Sequence, residues 1–238
     1  MAAMLIVKNV TKQFGGLMAN QNISFEVATG SITSVVGPNG AGKTTLFNCI
    51  SRTHSLTAGQ IVFDDKDVTN KKSFEVCKLG MGRTYQIPQS MEDMTTLENI
   101  VIGALCHRAS VIEAEDYARD ISEFCELSAY NNVDTSCLNV LQKKRLEIAR
   151  ALASDPKLLL LDETMAGLSG IERINAIDLI RKINAKGITI LMIEHVMEVV
   201  MTVSEKVIVI VSGKKLTEGP PCDVTKDPEV IDAYLGGD

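Results

Sequence analysis

The chain has 238 residues, 45% of them hydrophobic and 23% charged, with a formal net charge of -6. This allows one sizeable core, or one core with a small subdomain. No basic run stands out, which speaks against an extended nucleic-acid surface. The longest apolar runs, such as Val207-Ile208-Val209-Ile210-Val211, are strand-length, whereas a membrane span needs about 20 apolar residues. If the protein works at a membrane, another chain must supply the spans. Met1 to Lys8 carry neither a basic stretch nor a long apolar one, so no signal peptide is expected. The cysteines (Cys49, Cys77, Cys106, Cys125, Cys137, Cys222) follow no metal-ligand spacing and read as reduced thiols of a cytosolic protein.

In chain order, residues 4–14 alternate and carry β-branched side chains, as a strand does. Residues 23–27 and 32–36 follow as strands divided by a Thr29-Gly30 turn. A glycine-rich loop, Gly37-Pro38-Asn39-Gly40-Ala41-Gly42-Lys43-Thr44-Thr45, then leads into a helical run at 46–51. Residues 61–63 read as a strand ending in an Asp64-Asp65 turn, so this first stretch is a β-rich layer around the loop. From about 91 to 152 the period becomes helical. Leu97, Ile100, Val101 and Leu105 recur at that spacing, as do Ile112, Tyr117, Ile121, Phe124 and Leu127. After Pro156 comes a buried strand at 158–161, then a helix through Ile171, Ile174, Ile177, Ile180 and Ile183 closed by Gly187. A strand at 188–193, a short helix at 196–203 and a strand at 207–211 complete the pattern, with a hairpin turn at Ser212-Gly213. Alternating strands and helices predict an α/β fold with a parallel sheet covered on both faces. No linker is evident, so 1–238 reads as a single domain with a helical subdomain, 91–152, inserted in it.

The glycine loop fits the pattern G-x-x-x-x-G-K-[ST]. Glycines let the backbone turn tightly and approach a ligand, and successive N–H groups converge on an anion at the positive end of the following helix. Lys43 can reach the β- and γ-phosphates of a nucleoside triphosphate, and the Thr44 hydroxyl can face Mg²⁺. A second element is Leu158-Leu159-Leu160-Leu161-Asp162-Glu163, an apolar strand ending in two carboxylates. A strand buried along its length delivers its last residues to the carboxyl edge of the sheet, where ligands bind in open α/β folds. There Asp162 can hold Mg²⁺ through its water shell, and Glu163 can orient or deprotonate an attacking water. His195 ends another apolar strand, in Ile193-Glu194-His195; a lone His is more often structural, but its place at the end of a strand of the same sheet lets a contact to a terminal phosphate be expected. Gln86, in Gly82-Arg83-Thr84-Tyr85-Gln86, stands just before the helical region.

Over nearly its whole length the chain resembles the nucleotide-binding subunit of ABC transporters, a P-loop NTPase core. The resemblance implies that Gly37 to Thr45 are Walker A, Leu158 to Glu163 Walker B with its catalytic Glu, Gln86 the Q-loop and His195 the switch histidine. It places Ala166-Gly167-Leu168-Ser169 at the D-loop and Leu138-Asn139-Val140-Leu141-Gln142 at the signature motif. It implies ATP as substrate and Mg²⁺ held by Thr44, Gln86 and Asp162. Phe14 lies where the family puts an aromatic that stacks on adenine; a core residue at a strand end is the other reading. Phe14-Gly15-Gly16-Leu17, Phe47-Asn48-Cys49-Ile50, Met94-Thr95-Thr96-Leu97-Glu98-Asn99, Met165-Ala166-Gly167-Leu168 and the tail 227–236 look like the branched-chain (hydrophobic) amino acid uptake group. The tail also resembles that of some lipopolysaccharide-export ATPases. Membership implies a head-to-tail dimer with a second cassette, identical or not. It also implies docking on permease subunits at the inner face of the cell membrane, an extracytoplasmic binding protein that delivers the solute, and no nucleic-acid partner.

The signature departs from the usual Leu-Ser-Gly-Gly-Gln. Asn139 replaces Ser, and it caps a helix as well. Val140 and Leu141 replace glycines, and their side chains are expected to obstruct close backbone approach and to resist positive φ. The composite site built with this segment is therefore expected to be the weaker one of a dimer, unless the subgroup tolerates such variants without consequence. Other readings are an ATPase of an amide/urea-type importer or lipopolysaccharide exporter, a low-turnover regulatory cassette, and a soluble ABC ATPase of DNA repair or translation. The last usually carries long insertions or tandem cassettes, which are not seen here.

Overall fold

The computed structural model describes residues 2–85 and 90–235. Strand β1 (Ala3–Phe14) turns at Gly15-Gly16 into β2 (Leu17–Ala28), and the pair is antiparallel from Ala3↔Ala28 to Phe14↔Leu17. The sequence pattern shows only the second half of β2, because its first half is largely exposed and held by backbone pairing. Next come β3 (Ile32–Val36), α1 (Lys43–Ile50), β4 (Ala58–Phe63), β5 (Lys66–Asp67), α2 (Ser73–Lys78) and β6 (Met81–Arg83). Helices α3 (Thr96–Ala104), α4 (Val111–Phe124) and α5 (Val140–Ala153) lie between β6 and β7 (Leu158–Asp162). The chain then runs through α6 (Gly170–Ala185), β8 (Thr189–Ile193), α7 (Met197–Val203), β9 (Lys206–Val211), β10 (Lys214–Gly219), α8 (Pro221–Val224) and α9 (Pro228–Leu235).

These strands form two sheets. One is antiparallel with the order β2-β1-β4-β5; the other has the order β10-β9-β3-β8-β7-β6. In the second, β9, β3, β8, β7 and β6 run parallel and β10 closes the edge antiparallel. Every residue of β3, β7 and β8 is buried, as befits parallel strands covered on both faces. Successive side chains serve opposite cores. Leu158 and Leu160 pack with the antiparallel sheet and with Leu46, Phe47 and Ile50 of α1. Leu159 and Leu161 pack with Ile100 of α3, Leu146 of α5 and Ile180 of α6. The helices between β6 and β7 thus share one core with the sheet.

Two helical stripes end sooner than the sequence pattern predicts. In α6, Ile177, Ile180 and Ile183 are buried but Ile171 and Ile174 are 76% and 59% exposed. A spacing of three residues falls about 60° short of a full turn each time, so isoleucines stepping by three circle the helix instead of sharing one face. In α4, Ile112 is exposed for a related reason, since its five-residue step to Tyr117 leaves the stripe.

This topology brings three carboxyl ends together. β8 lies between β3 and β7, with Val35 and Asp162 both opposite Ile193. The glycine loop leaves β3, Asp162 and Glu163 end β7, and Glu194 and His195 follow β8.

Gly103 marks the closest approach of α3 to α5. A Cβ there would collide with the carbonyl oxygen of Arg150 and stand 3.1 Å from the Ala153 methyl. Gly103→Ala is expected to destabilise the chain by about 1–3 kcal/mol through overpacking. Denaturant melts of the two proteins check this, and equal midpoints contradict it.

Candidate functional site

The glycine loop is held from outside as well as by its own turn. Gly42 precedes α1 at φ 96°, and a Cβ on it would collide with the Ala19 carbonyl of β2 and lie 2.6 Å from Asn20 Nδ2. The buried Asn20 amide donates to the Gly42 carbonyl at 3.1 Å. The turn between β9 and β10 braces the other side, with Gly213 N–H donating to Ala41 O (3.0 Å) and Gln21 N–H to Gly213 O (2.7 Å). Lys43 to Thr45 form the first turn of α1, so their amides are among those a helix leaves without internal partners.

Over this loop lies a cleft of about 560 Å³, lined by residues 39–45, Glu163, and Leu17, Met18 and Ala19 of β2. Lys43 is 6% exposed, and its ammonium donates to the carbonyls of Gly37 (2.7 Å) and Pro38 (2.9 Å). Burial lowers its pKa, while the carboxylates of Glu163 and Asp162 work the other way. Thr44 borders the same cleft. A triphosphate fits these surroundings: a backbone cradle, a helix N-terminus and a cation at one end of an open cleft.

Asp162 is 1% exposed at the end of β7. Its Oδ2 lies 3.4 Å from the Arg83 guanidinium, and its Oδ1 has no hydrogen-bond partner among the described residues. Burial raises its pKa and Arg83 opposes the rise. Arg83 itself is fixed by Asn48 Oδ1 (2.7 Å) and Ser51 Oγ (2.8 Å), at the end of α1 and just beyond it. The sequence pattern gave no role to Arg83, because its partners are far away along the chain. A buried carboxylate with one oxygen unpartnered among the described residues is a hard-oxygen donor suited to Mg²⁺.

Glu163 has left-handed backbone, with φ 49°. Its amide donates to Ile193 O at 3.0 Å, and its side chain borders the cleft. Sparsely populated backbone of this kind persists when the surroundings over-determine it, and it concentrates at functional sites. Glu194, one residue past β8, is fully buried. Its Oε1 accepts the Met165 amide at 3.1 Å, and its Oε2 has no partner among the described residues. Burial pushes its pKa up to about 7, against the pull of the Met165 amide and Lys144. His195 is exposed beside it and does not line the cleft. Gln86 lies outside the described residues.

Phe14 is 42% exposed, edge-on to His54 with centroids 5.4 Å apart, and Lys12 Nζ stands 4.6 Å from its ring centroid. That removes the core reading of Phe14. The apolar wall of the cleft comes instead from Leu17 and Met18, past the hairpin turn, which the sequence reading passed over. Asn139 caps α5: its Oδ1 accepts the Gln142 amide at 2.9 Å, and Gln142 Oε1 accepts the Asn139 amide at 2.8 Å. Val140 and Leu141 are the first helical residues and neither has positive φ. The expected backbone strain is therefore absent, because the helix starts at Val140; what remains is the bulk of a 61% exposed Val140 side chain. None of Asn139, Val140, Leu141 and Gln142 lines the cleft.

The ABC transporter family model matches residues 20–166, more than half of the chain. The chain belongs to the ABC transporter family. A model for the branched-chain amino acid ATP-binding cassette transporter matches residues 214–238. A high-affinity branched-chain amino acid transport ATP-binding protein of Pseudomonas aeruginosa is 35% identical, over 98% of this chain and 97% of its own length. A probable branched-chain amino acid transport ATP-binding protein of Archaeoglobus fulgidus is 34% identical, over 98% and 95%. Among solved structures, the ADP conformation of an ATP-binding cassette of an ABC transporter superposes with a TM-score of 0.90 at 33% identity, covering 99% of this chain and 100% of that one. A dimeric cassette bound to ADP and Pi gives 0.84 at 26% identity, covering 92% and 99%. The α/β fold is that of the ABC cassette.

Glu194 makes stability depend on pH in a direction opposite to the usual carboxylate. Its folded pKa of about 7 exceeds the ordinary 4.5, so the folded state holds the proton more tightly. Below 4.5 both states are protonated. Between 4.5 and about 7 stability falls with rising pH, and above 7 the loss is constant, on the order of 3 kcal/mol. Glu194→Gln is therefore expected to match the parent near pH 4.5 and to exceed its stability at about pH 8.5. Denaturant melts at both pH values check this, and a difference that does not change with pH contradicts it.

Proposed function

We propose that this chain is the ATP-hydrolysing subunit of an ABC importer that powers uptake of branched-chain or related hydrophobic amino acids. One observation carries the enzymatic part: the loop with Lys43 lines one cleft together with Glu163, and Asp162, the residue before Glu163 at the end of β7, lies close enough to Lys43 to act on its charge. The solute class rests on the family match at 214–238 and on the names of the curated relatives. The chain acts as one nucleotide-binding domain, 1–238, with 91–152 as its helical subdomain.

The loop amides and Lys43 hold the β- and γ-phosphates of ATP. Bound Mg²⁺ would neutralise charge between those phosphates, and Thr44, Asp162 and Gln86 are the residues that would hold it. Glu163 takes a proton from a water as its oxygen attacks the γ-phosphorus, and ADP leaves with the bridging oxygen. By the resemblance, His195 and Gln86 are assigned to the terminal phosphate. Leu17 and Met18 offer the base an apolar wall, with Phe14 beyond them.

The segment Asn139 to Gln142 does not line the chain's own cleft; by the resemblance, it serves the nucleotide of a second cassette in a head-to-tail dimer. Among the described residues no helix is long and apolar enough to cross a membrane. Permease subunits supply the spans and hold the chain at the inner face of the cell membrane. An extracytoplasmic binding protein delivers the solute. The exposed Val140 at the start of α5 stands where close approach of a phosphate is needed, so the composite site that uses this signature turns over more slowly than the one that uses Lys43 and Glu163.

Glu163→Gln keeps the size of the side chain but not its basicity. In the assembled transporter, turnover should fall about 100-fold or more while ATP still binds; retained turnover removes Glu163 from the role of base. Val140→Gly with Leu141→Gly should raise turnover of the assembled transporter, measured as phosphate release at saturating ATP. An unchanged rate contradicts the weaker-site reading.

A further inference from the structure

Glu163 sits in backbone that an ordinary residue avoids, and three contacts hold it there. Its own amide is tied to Ile193 of β8. On the far side, the ammonium of Lys144, on the second turn of α5, donates to the carbonyl oxygens of Glu163 (3.2 Å) and Thr164 (3.0 Å). Two residues on, the Met165 amide donates to the buried Glu194 carboxylate at 3.1 Å. Lys144 is half-buried, and Glu194 is its largest electrostatic partner, ahead of Glu163. The catalytic turn is thus gripped on one side by α5, the helix capped by Asn139, and on the other by the residue that precedes His195.

A buried carboxylate is costly, and an apolar side chain at this place in the core would be cheaper. Glu194 also leaves one oxygen without a partner among the described residues, which is a further cost. Such a group is retained where it holds a geometry that packing alone cannot hold. Here that geometry is the left-handed turn at Glu163, which an ordinary core residue could not fix because it offers the Met165 amide no acceptor.

We infer that Glu194 and Lys144 are positioning residues for Glu163, fixing the turn that aims its carboxylate into the cleft and linking the start of α5 to it. The inference rests on the reading of Glu163 as the group that accepts the proton of water. Neither residue touches the nucleotide. Both act through the backbone of Glu163, Thr164 and Met165, so their loss lowers the rate of the chemical step and leaves nucleotide affinity in place.

The test compares Glu194→Ala, Glu194→Gln, Lys144→Met and Glu163→Gln in the assembled transporter, with ATP hydrolysis followed against ATP concentration. Gln keeps an acceptor for the Met165 amide; Ala does not. Glu194→Ala and Lys144→Met should each lower kcat about 10- to 100-fold, with KM for ATP within about twofold of the parent. Glu194→Gln should recover kcat to within about threefold of the parent, because the oxygen it keeps accepts the same amide. The inference is overturned by parental kcat in Glu194→Ala, by a loss expressed in KM, or by Glu194→Gln as slow as Glu194→Ala. Glu163→Gln separates the two ideas. If it is inactive while Glu194→Ala is not impaired, only the positioning role fails; if it turns over normally, the reading of Glu163 fails first.

Discussion

Burial of β3, β7 and β8 on both faces is the constraint on which the rest of the structure depends. Strands walled in by apolar cores have no room for chemistry along their length, so polar groups collect where the strands stop. The parallel order then puts three such stops side by side. One releases the glycine loop into α1, one ends in Asp162 and Glu163, and one ends in Glu194 and His195. The loop is clamped from both sheets: β2 of the antiparallel sheet presses on it through Ala19 and Asn20, and the β9–β10 turn of the other sheet through Gly213. The shape of the loop is thereby an outcome of how the two sheets pack against each other.

Rigidity at these strand ends is bought with buried charge. Asp162 is held against Arg83, and Arg83 in turn against Asn48 and Ser51, so the end of β7 is tied to the region where α1 stops. Glu194 sits without a full set of partners among the described residues and destabilises the fold above neutral pH. An ion pair of this kind contributes little net stability, and breaking it by removing one partner is strongly destabilising. The site therefore trades stability for fixed positions, as functional sites commonly do. Lys144 brings α5 into the same network, so the start of that helix and the turn that carries Glu163 are parts of one connected unit.

Much of this was legible in the sequence wherever the signal is local. The glycine loop, the leucine run before Asp162 and the β-branched strands each announce themselves within a few residues. Long-range pairings do not: Arg83 with Asp162 and Lys144 with the Glu163 carbonyl join residues far apart, and no spacing rule points to them. Glu194 was visible only as the neighbour of His195, because nothing in the chain marks it as buried. Periodicity misled where isoleucines at steps of three imitate a stripe, as at Ile171 and Ile174. The signature segment was misjudged in backbone, since a capped helix begins at Val140 and asks for no positive φ. The exposed half of β2, which supplies Leu17 and Met18 to the cleft, carries no apolar pattern at all.

The triphosphate is proposed to bind at the loop clamped between β2 and the β9–β10 turn, with Lys43 as its main charge. Titration of ATP with Mg²⁺ into the parent chain and into Lys43→Met, followed by calorimetry, tests this most directly. Saturable one-to-one binding is expected of the parent, weakened about ten-fold or more in the variant by loss of a charge-assisted contact. Equal affinity in the two proteins, with both folded, would contradict it.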